Sequence, residues 1–261
     1  MVDQPTTRQT PLSAVLITLN CVDSLRATLE SLQFCSEIVV VDSGSTDGTR
    51  ELAESMGARV LVESWRGFGP QKQFAIDQAS HDWVLCVDSD EIVSDKLREN
   101  LLAELRAPAY KAYEFPRCNR FMGRYLKHGE GYPDLSLRLF NRKHARWSDD
   151  AVHEKVITLD VVGQLTGDLL HHSEESIESY LAKQNRYTTL GAQAMLAEGV
   201  EVSLSKLLLS PAFRFFKFYV LRGGWRDGLP GLVHIMIGCF NSFAKYAKHL
   251  ELARRGDVSN R

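Results

Sequence analysis

The run Val84-Leu-Cys-Val-Asp88-Ser89-Asp90-Glu91 places two carboxylates two positions apart, directly after an apolar, strand-like segment. Carboxylates delivered onto a turn in this way can hold a hard divalent cation, with diphosphate oxygens completing its shell. The same residue types are good helix N-caps, so the bland alternative is that they cap the next helix. A second acidic strand end, Glu37-Ile-Val-Val-Val-Asp42, lies about 45 residues upstream and runs into Ser43-Gly-Ser-Thr-Asp-Gly-Thr49. An aspartate there can accept hydrogen bonds from a nucleobase or ribose, and the small polar turn leaves room for a nucleotide. Ser, Gly and Asp favour turns in any case. A lone turn, however, has no use for a second acidic strand end.

These residues need elements to position them. Residues 12–19 read as a buried strand, and Val22, Leu25, Leu29 and Leu32 follow at helical spacing. A second strand (37–42), a helix (49–56) closed by Gly57, a third strand (58–62), a helix (71–79) and a strand (83–87) complete four strand–helix alternations. That alternation predicts an α/β fold, a mostly parallel, doubly wound sheet flanked by helices. Ligands of such sheets bind at the carboxyl ends of the strands, where Asn20, Asp42 and Asp88 stand. A helix is expected over 94–105, then strand-like segments at 113–115 and 135–140, then a helix over 176–196. The expected organisation is a polar tail (1–10), the α/β domain (11–200) and an amphipathic helical extension (201–261).

The 261 residues are 44% apolar and 25% charged, which excludes a disordered or low-complexity chain. The net charge is −2, but residues 200–261 hold ten Lys/Arg against four Asp/Glu on an otherwise acidic body. Five scattered cysteines without a CxxC pair argue against a disulfide framework or zinc knuckle and fit a reducing compartment. The longest charge-free stretch, Gly228 to Ala244, is 17 residues and contains Pro230. A bilayer span needs about 20.

The order Leu16-Ile-Thr-Leu-Asn20, Ile38-Val-Val-Val-Asp42-Ser-Gly-Ser-Thr-Asp-Gly-Thr and Val87-Asp88-Ser-Asp90 resembles family 2 glycosyltransferases of the GT-A (Rossmann-like) fold. Within that family, Trp65, Gly67, Gln71 and Lys72, Tyr132-Pro-Asp134 with Arg138-Leu-Phe140, and His153-Glu154 look most like the lipopolysaccharide core glucosyltransferases. Cys21 departs from the glutamate common after the asparagine in this family. The resemblance implies an inverting, metal-dependent transfer from a nucleotide sugar, UDP-glucose or similar, to a lipid-anchored glycan. It implies Asp42 at the uracil or ribose and Asp88 by the ribose and sugar, with Thr18, Asn20, Ser43, Lys72 and Ser89 in the same donor site. Asp90 and His171 are the implied ligands of a Mg²⁺ or Mn²⁺ ion. Glu154 is the implied base that deprotonates the acceptor hydroxyl, with Asp134 as alternative, and Asp134 and Arg138 face the acceptor.

From Leu204 to Leu250, aromatic and aliphatic residues interleave with Lys and Arg, as in segments lying at an anionic membrane surface. The alternative is that they pack on the catalytic domain or a sister subunit. The expected placement is cytoplasmic, peripheral on the inner face of the plasma membrane. No nucleic-acid module is recognisable. Competing readings are a polyprenyl-phosphate or other cell-envelope polysaccharide glycosyltransferase, a nucleotidyltransferase, a two-carboxylate hydrolase, and a non-catalytic nucleotide-sugar-binding membrane scaffold. A nucleotidyltransferase would show a glycine-rich basic loop near the first strand, and Asn20-Cys-Val-Asp-Ser is not one.

Overall fold

The computed structural model describes residues 10–149, 154–172 and 176–259. In chain order the elements begin β1 (Leu12–Thr18), α1 (Val22–Ser31), β2 (Glu37–Asp42), α2 (Thr49–Ser55), β3 (Arg59–Val62), α3 (Phe68–Gln78), β4 (Trp83–Cys86), β5 (Glu91–Val93) and α4 (Asp95–Glu104). They continue with β6 (Ala112–Phe121), β7 (Arg124–Tyr125), β8 (Asp134–Asn141), β9 (Ala145–Trp147), β10 (Val156–Thr158), β11 (Val162–Gln164) and β12 (Leu169–His171). The C-terminal helices are α5 (Ile177–Ala197), α6 (Leu204–Phe215) and α7 (Gly228–Ser259). The chain divides into two compact units, residues 1–118 with 134–172, and residues 119–133 with 173–261.

The first unit is a sheet ordered β3-β2-β1-β4-β8-β6-β12-β5. Strands β3, β2, β1 and β4 are parallel, in registers that set Thr18 beside Asp42 and Val15 beside Cys86. Beyond β4 the pairing of β8 with β4 and β6 is antiparallel, as is that of β12 with β5. The runs Ala14-Val-Leu16, Val39-Val-Val41 and Val84-Leu85 are apolar throughout because the sheet is covered on both faces. Leu16, Val40 and Leu85 pack with Leu25 and Leu29 of α1 and Leu97 and Leu101 of α4 on one face. Val15, Val39, Val41 and Val84 pack with Ala75 and Ile76 of α3 and with Trp147 on the other. The GT-A-type α/β architecture expected from the sequence is the one observed.

Two local expectations change. The α3 helix begins at Phe68, three residues before the predicted start, because Pro70 is tolerated in a first turn. The acids of 88–91 do not cap a helix. They form a turn entering β5, and α4 is capped by Ser94, whose Oγ accepts the Leu97 N–H at 3.3 Å.

The second unit joins the hairpin of β6 and β7 to helices α5, α6 and α7, with both α5 and α6 packed on α7. The Asp227 carboxylate, buried just before α7, accepts the backbone N–H groups of Lys127 (2.9 Å) and His128 (2.7 Å) and pairs with His128 Nδ1 (2.9 Å). Helix α5 thus groups with the C-terminal helices, and this division differs from the sequence-derived boundary at residue 200. Helix α6 and the π-helical turn after it, Phe216–Leu221, bury no side chain. Among the described residues, no helix is long and apolar enough to cross a membrane.

One carboxylate fastens the parallel edge. Glu37 accepts hydrogen bonds from Ser13 Oγ (2.6 Å), Ser80 N–H (2.8 Å), Ser80 Oγ (2.8 Å) and Arg59 Nη2 (2.8 Å). Burial alone would raise its pKa, but these donors, led by Ser13, bring it down to about 2. A depressed carboxylate contributes stability above its ordinary pKa and loses it as pH falls through the folded value. Wild type should therefore lose more stability than Glu37→Gln between pH 7 and pH 3, by on the order of 2 kcal/mol. Urea midpoints at the two pH values check this, and parallel losses in both proteins would refute it.

Candidate active site

The carboxyl edge of the parallel strands carries two loops of different character. In the first, Asp42 is completely buried. Its Oδ1 accepts the N–H groups of Gly44 (3.0 Å) and Ser45 (2.7 Å), and its Oδ2 accepts Thr18 Oγ1 (2.8 Å) and Ser45 Oγ (2.5 Å). Burial works against ionisation, but the bonds from Ser45, Thr18 and Gly44 win and lower the Asp42 pKa. All four lone-pair positions are taken. Through these bonds Asp42 shapes the turn, and Thr18 is buried as part of that brace. Asn20, exposed and in the left-handed region (φ +48°), accepts the Thr46 N–H on Oδ1 at 2.9 Å and so aligns the neighbouring loop. Ser43 is half-buried, and its Oγ accepts Gln71 Nε2 at 3.3 Å.

The second loop is the acidic turn. Asp88 Oδ1 pairs with Lys72 Nζ at 3.1 Å and Oδ2 with Arg138 Nη2 at 2.9 Å. Glu91, completely buried, pairs with Arg117 Nε and Arg138 Nη2, and its Oε2 accepts the Asp88 N–H at 3.0 Å. Lys72 also reaches Glu154 Oε1 at 3.3 Å, and its ammonium lies 4.7 Å from the centre of the Trp147 ring. Burial would raise the Asp88 pKa, but Arg138 and Lys72 hold it well below the carboxylate range. Three acids (Asp88, Glu91, Glu154) are thus matched by three bases (Lys72, Arg117, Arg138).

Asp90 stands apart from this balance. Its carboxylate meets His171 Nε2 at 3.1 Å, a partner that is charged only when protonated. The pairing of β12 with β5, which sets His171 opposite Glu91, brings the histidine there, and the His172 N–H donates to the Asp90 carbonyl at 2.8 Å. An aspartate oxygen with an imidazole nitrogen suits a Mg²⁺ or Mn²⁺ ion that takes its other ligands from diphosphate and water. Among the described residues, no three His, Cys, Asp or Glu side chains gather as a self-sufficient metal cluster.

An open cleft of roughly 660 Å³ is lined by Ile17, Thr18, Leu19, Trp65, Phe68, Lys72, Asp88, Ser89, Asp90, Arg117, Glu154 and His171. Glu154, Lys72, Asp88 and Arg117 also line an adjoining recess with Asp134 and Arg138. The structure so brings together Thr18, Lys72, Asp88, Ser89, Asp90, Glu154 and His171, and leaves Asp134 exposed at the start of β8. Lys72 and Arg138, expected near diphosphate or acceptor, pair with Asp88, Glu91 and Glu154 at this wall of the cleft and recess. His153 lies outside the described residues. Glu91, Arg117 and Trp147 carry no role in the sequence reading. The signal for Glu91 was the third acid of the turn, placed where a strand resumes.

An α/β sheet with this acidic turn at its carboxyl edge is the architecture of a GT-A glycosyltransferase. The chain belongs to glycosyltransferase family 2: residues 13–164 match the family described as "Glycosyl transferase family 2". It is 38% identical over 91% of each chain to the "Lipopolysaccharide core biosynthesis glycosyltransferase LpsC" of Rhizobium meliloti (strain 1021). It is 31% identical to a glycosyltransferase of Rickettsia felis, over 91% of this chain and 88% of that one. Among solved structures, it is similar to glucosyl-3-phosphoglycerate synthase from Mycobacterium tuberculosis, in complex with Mn²⁺, UDP-glucose and phosphoglyceric acid. That likeness has a TM-score of 0.47 at 18% identity and covers 74% of this chain and 81% of that chain.

Removing one member of a buried ion pair strands its partners in a medium that solvates them poorly. Arg138→Met should therefore destabilise the protein by about 3 kcal/mol at pH 7, read from urea unfolding. A loss below about 1 kcal/mol, the range of surface ion pairs, would refute the keystone role given to Arg138.

Proposed function

We propose that this glycosyltransferase moves a hexose, with inversion, from UDP-glucose or a similar nucleotide sugar to a lipid-anchored glycan of the lipopolysaccharide inner core. The observation that carries the reading is one cleft that holds the Asp90–His171 pair and a Lys72-tethered glutamate together. The name of the Rhizobium relative supports the acceptor class. Asp90 and His171 would hold the divalent ion, which when bound neutralises charge on the departing diphosphate. Asn20, Ser43 and Ser89 offer polar groups to the nucleoside and sugar, on loops braced by Asp42 and Thr18. Asp88 keeps the turn in shape through its two cations.

Glu154 takes the proton of the acceptor hydroxyl as that oxygen forms its bond to the anomeric carbon. The bond from that carbon to the diphosphate oxygen breaks, and the nucleoside diphosphate leaves with the electron pair from the opposite face. Lys72 Nζ, 3.3 Å from Glu154 Oε1, holds that carboxylate in the cleft. Glu154 is preferred over Asp134 because it lines the same cleft as Asp90 and His171, whereas Asp134 lines only the adjoining recess.

Titration with UDP, UDP-glucose and GDP-mannose, each with and without Mn²⁺, tests the donor class. Asp90→Ala should weaken Mn²⁺-dependent UDP binding by about 10- to 100-fold. Glu154→Gln should keep donor affinity and lose about 10²–10⁴ in kcat. Absence of nucleotide binding in the folded wild type would remove the proposal, and loss of transfer in Asp134→Asn alone would move the base assignment.

The lipid-anchored acceptor makes an anionic membrane surface the expected working place. Supporting it, Leu209, Phe213, Phe216 and Val220 recur at helical spacing and are 66%, 67%, 51% and 48% exposed, with Lys206 and Lys217 nearby in sequence. Such a stripe suits the headgroup boundary. Phe213→Glu with Phe216→Glu should lower partitioning onto vesicles of three parts phosphatidylcholine to one part phosphatidylglycerol by about tenfold or more. Unchanged partitioning of the folded variant would overturn the surface assignment.

A further inference from the structure

Two large aromatic side chains on the cleft wall are turned to solvent, Trp65 at 49% and Phe68 at 51% exposure. An exposed apolar surface of this size is informative where an isolated leucine is not. The rings meet edge to face, with centroids 4.8 Å apart and planes at 86°, so their faces form a corner.

The segment that carries them is firmly built. Gln71 is completely buried; its Oε1 accepts the Arg66 N–H at 3.3 Å, and its Nε2 donates to the Glu63 carbonyl at 3.3 Å. The Arg66 guanidinium pairs with Glu63 at 2.9 Å and lies 4.5 Å from the centre of the Phe74 ring. Trp65 is thus held between two anchored residues, and Phe68 opens α3. Much of the ordering cost of a binding surface is already met in such a segment.

The position of the base identifies the occupant. Gly69 follows Phe68, and a Cβ there would fall 2.2 Å from the Ser148 carbonyl oxygen and 3.4 Å from Glu154 Cβ. The segments carrying Ser148 and Glu154 therefore lie against the first turn of α3, and the aromatic corner adjoins the base. A pyranose has a face of C–H groups and a rim of hydroxyls. Its face suits an aromatic ring, and its rim suits the polar remainder of the same cleft.

We propose that Trp65 and Phe68 form the stacking corner for a pyranose ring of the acceptor glycan, so that its reacting hydroxyl meets Glu154. This rests on the reading of Glu154 as the base. The test uses the full chain and its Trp65→Ala, Phe68→Ala and Trp65→Phe variants. The probes are UDP with Mn²⁺ by calorimetry, and methyl glucoside, galactoside, mannoside and heptoside by saturation-transfer NMR.

At least one methyl pyranoside should take saturation from the wild-type protein through its ring C–H protons. Each alanine variant should weaken that binding about tenfold and leave UDP affinity within about twofold, while Trp65→Phe retains most of the affinity. A tenfold loss of UDP affinity with unchanged pyranoside binding would overturn the proposal and give the corner to the nucleobase. Unchanged binding of both probes, or no pyranoside binding by wild type, would overturn it as well. Glu154→Gln separates the two readings: it should bind the pyranoside as wild type does. Normal transfer by Glu154→Gln would end the base assignment and leave the binding result for the aromatic corner standing.

Discussion

The site depends on seating the carboxylates of Asp88 and Glu91 among cations where protein replaces most of the water. Taking carboxylates out of water is costly, and the cost is tolerable only where cations and hydrogen bonds replace the lost solvent. Arg138 and Lys72 do this for Asp88, and Arg138 and Arg117 do it for Glu91. The three cations come from different elements: Lys72 from α3, Arg117 from β6 and Arg138 from β8. The acidic turn can hold its shape only when the antiparallel half of the sheet and α3 are both in place on the parallel half. Electrostatic neutrality and fold completion are one condition here.

That condition explains what was legible in the sequence. Strands β1, β2 and β4 are buried on both faces, so their sequences are plain runs of Val, Ile and Leu, and the first four strand–helix alternations could be read directly. The antiparallel strands were faint because Arg117 and Arg138 interrupt their apolar pattern. Their burial makes sense only beside Asp88 and Glu91, which are 26 to 50 residues away in the chain. The start of α3 was hidden by Gly67-Phe-Gly-Pro70, which reads as a turn. Gly69 is there because the Ser148 carbonyl approaches too closely for any side chain. Asp42 was found, but its hydrogen bonds were not. An acidic strand end suggests a ligand, and only the positions of Gly44, Ser45 and Thr18 reveal how its own loop holds the carboxylate. The meeting of Asp90 with His171 was legible by family resemblance, and its physical basis, the β5–β12 register, spans some 80 residues.

The division of the chain into units has a similar origin. Composition shifts at residue 200, where the sequence turns basic and aromatic, but compactness changes at residue 172. Helix α5 has an ordinary polar–apolar mixture and gives no compositional warning. It belongs with the C-terminal helices because it packs along α7, whose 32 residues offer a long face. Helix α6 packs on α7 as well and yet leaves Leu208, Leu209 and Phe213 uncovered, which is an uneconomical arrangement for a helix surrounded only by water.

Charge counting at the turn assigns different work to two aspartates that look equivalent in the sequence. Asp88 is satisfied by two permanent cations, so a further cation would have to compete with both. Asp90 has a histidine, whose neutral form is a ligand rather than a counter-ion. Under the proposed function, a divalent ion arriving with a diphosphate would meet in Asp90 an acid of this turn that no permanent cation matches, next to an imidazole. Lys72 joins that turn to Glu154, because the same ammonium that holds Asp88 lies 3.3 Å from the Glu154 carboxylate. Glu154 and the acidic turn are held by one buried charge seated on Trp147. Their separation is thus set by the packing of α3, before either substrate binds.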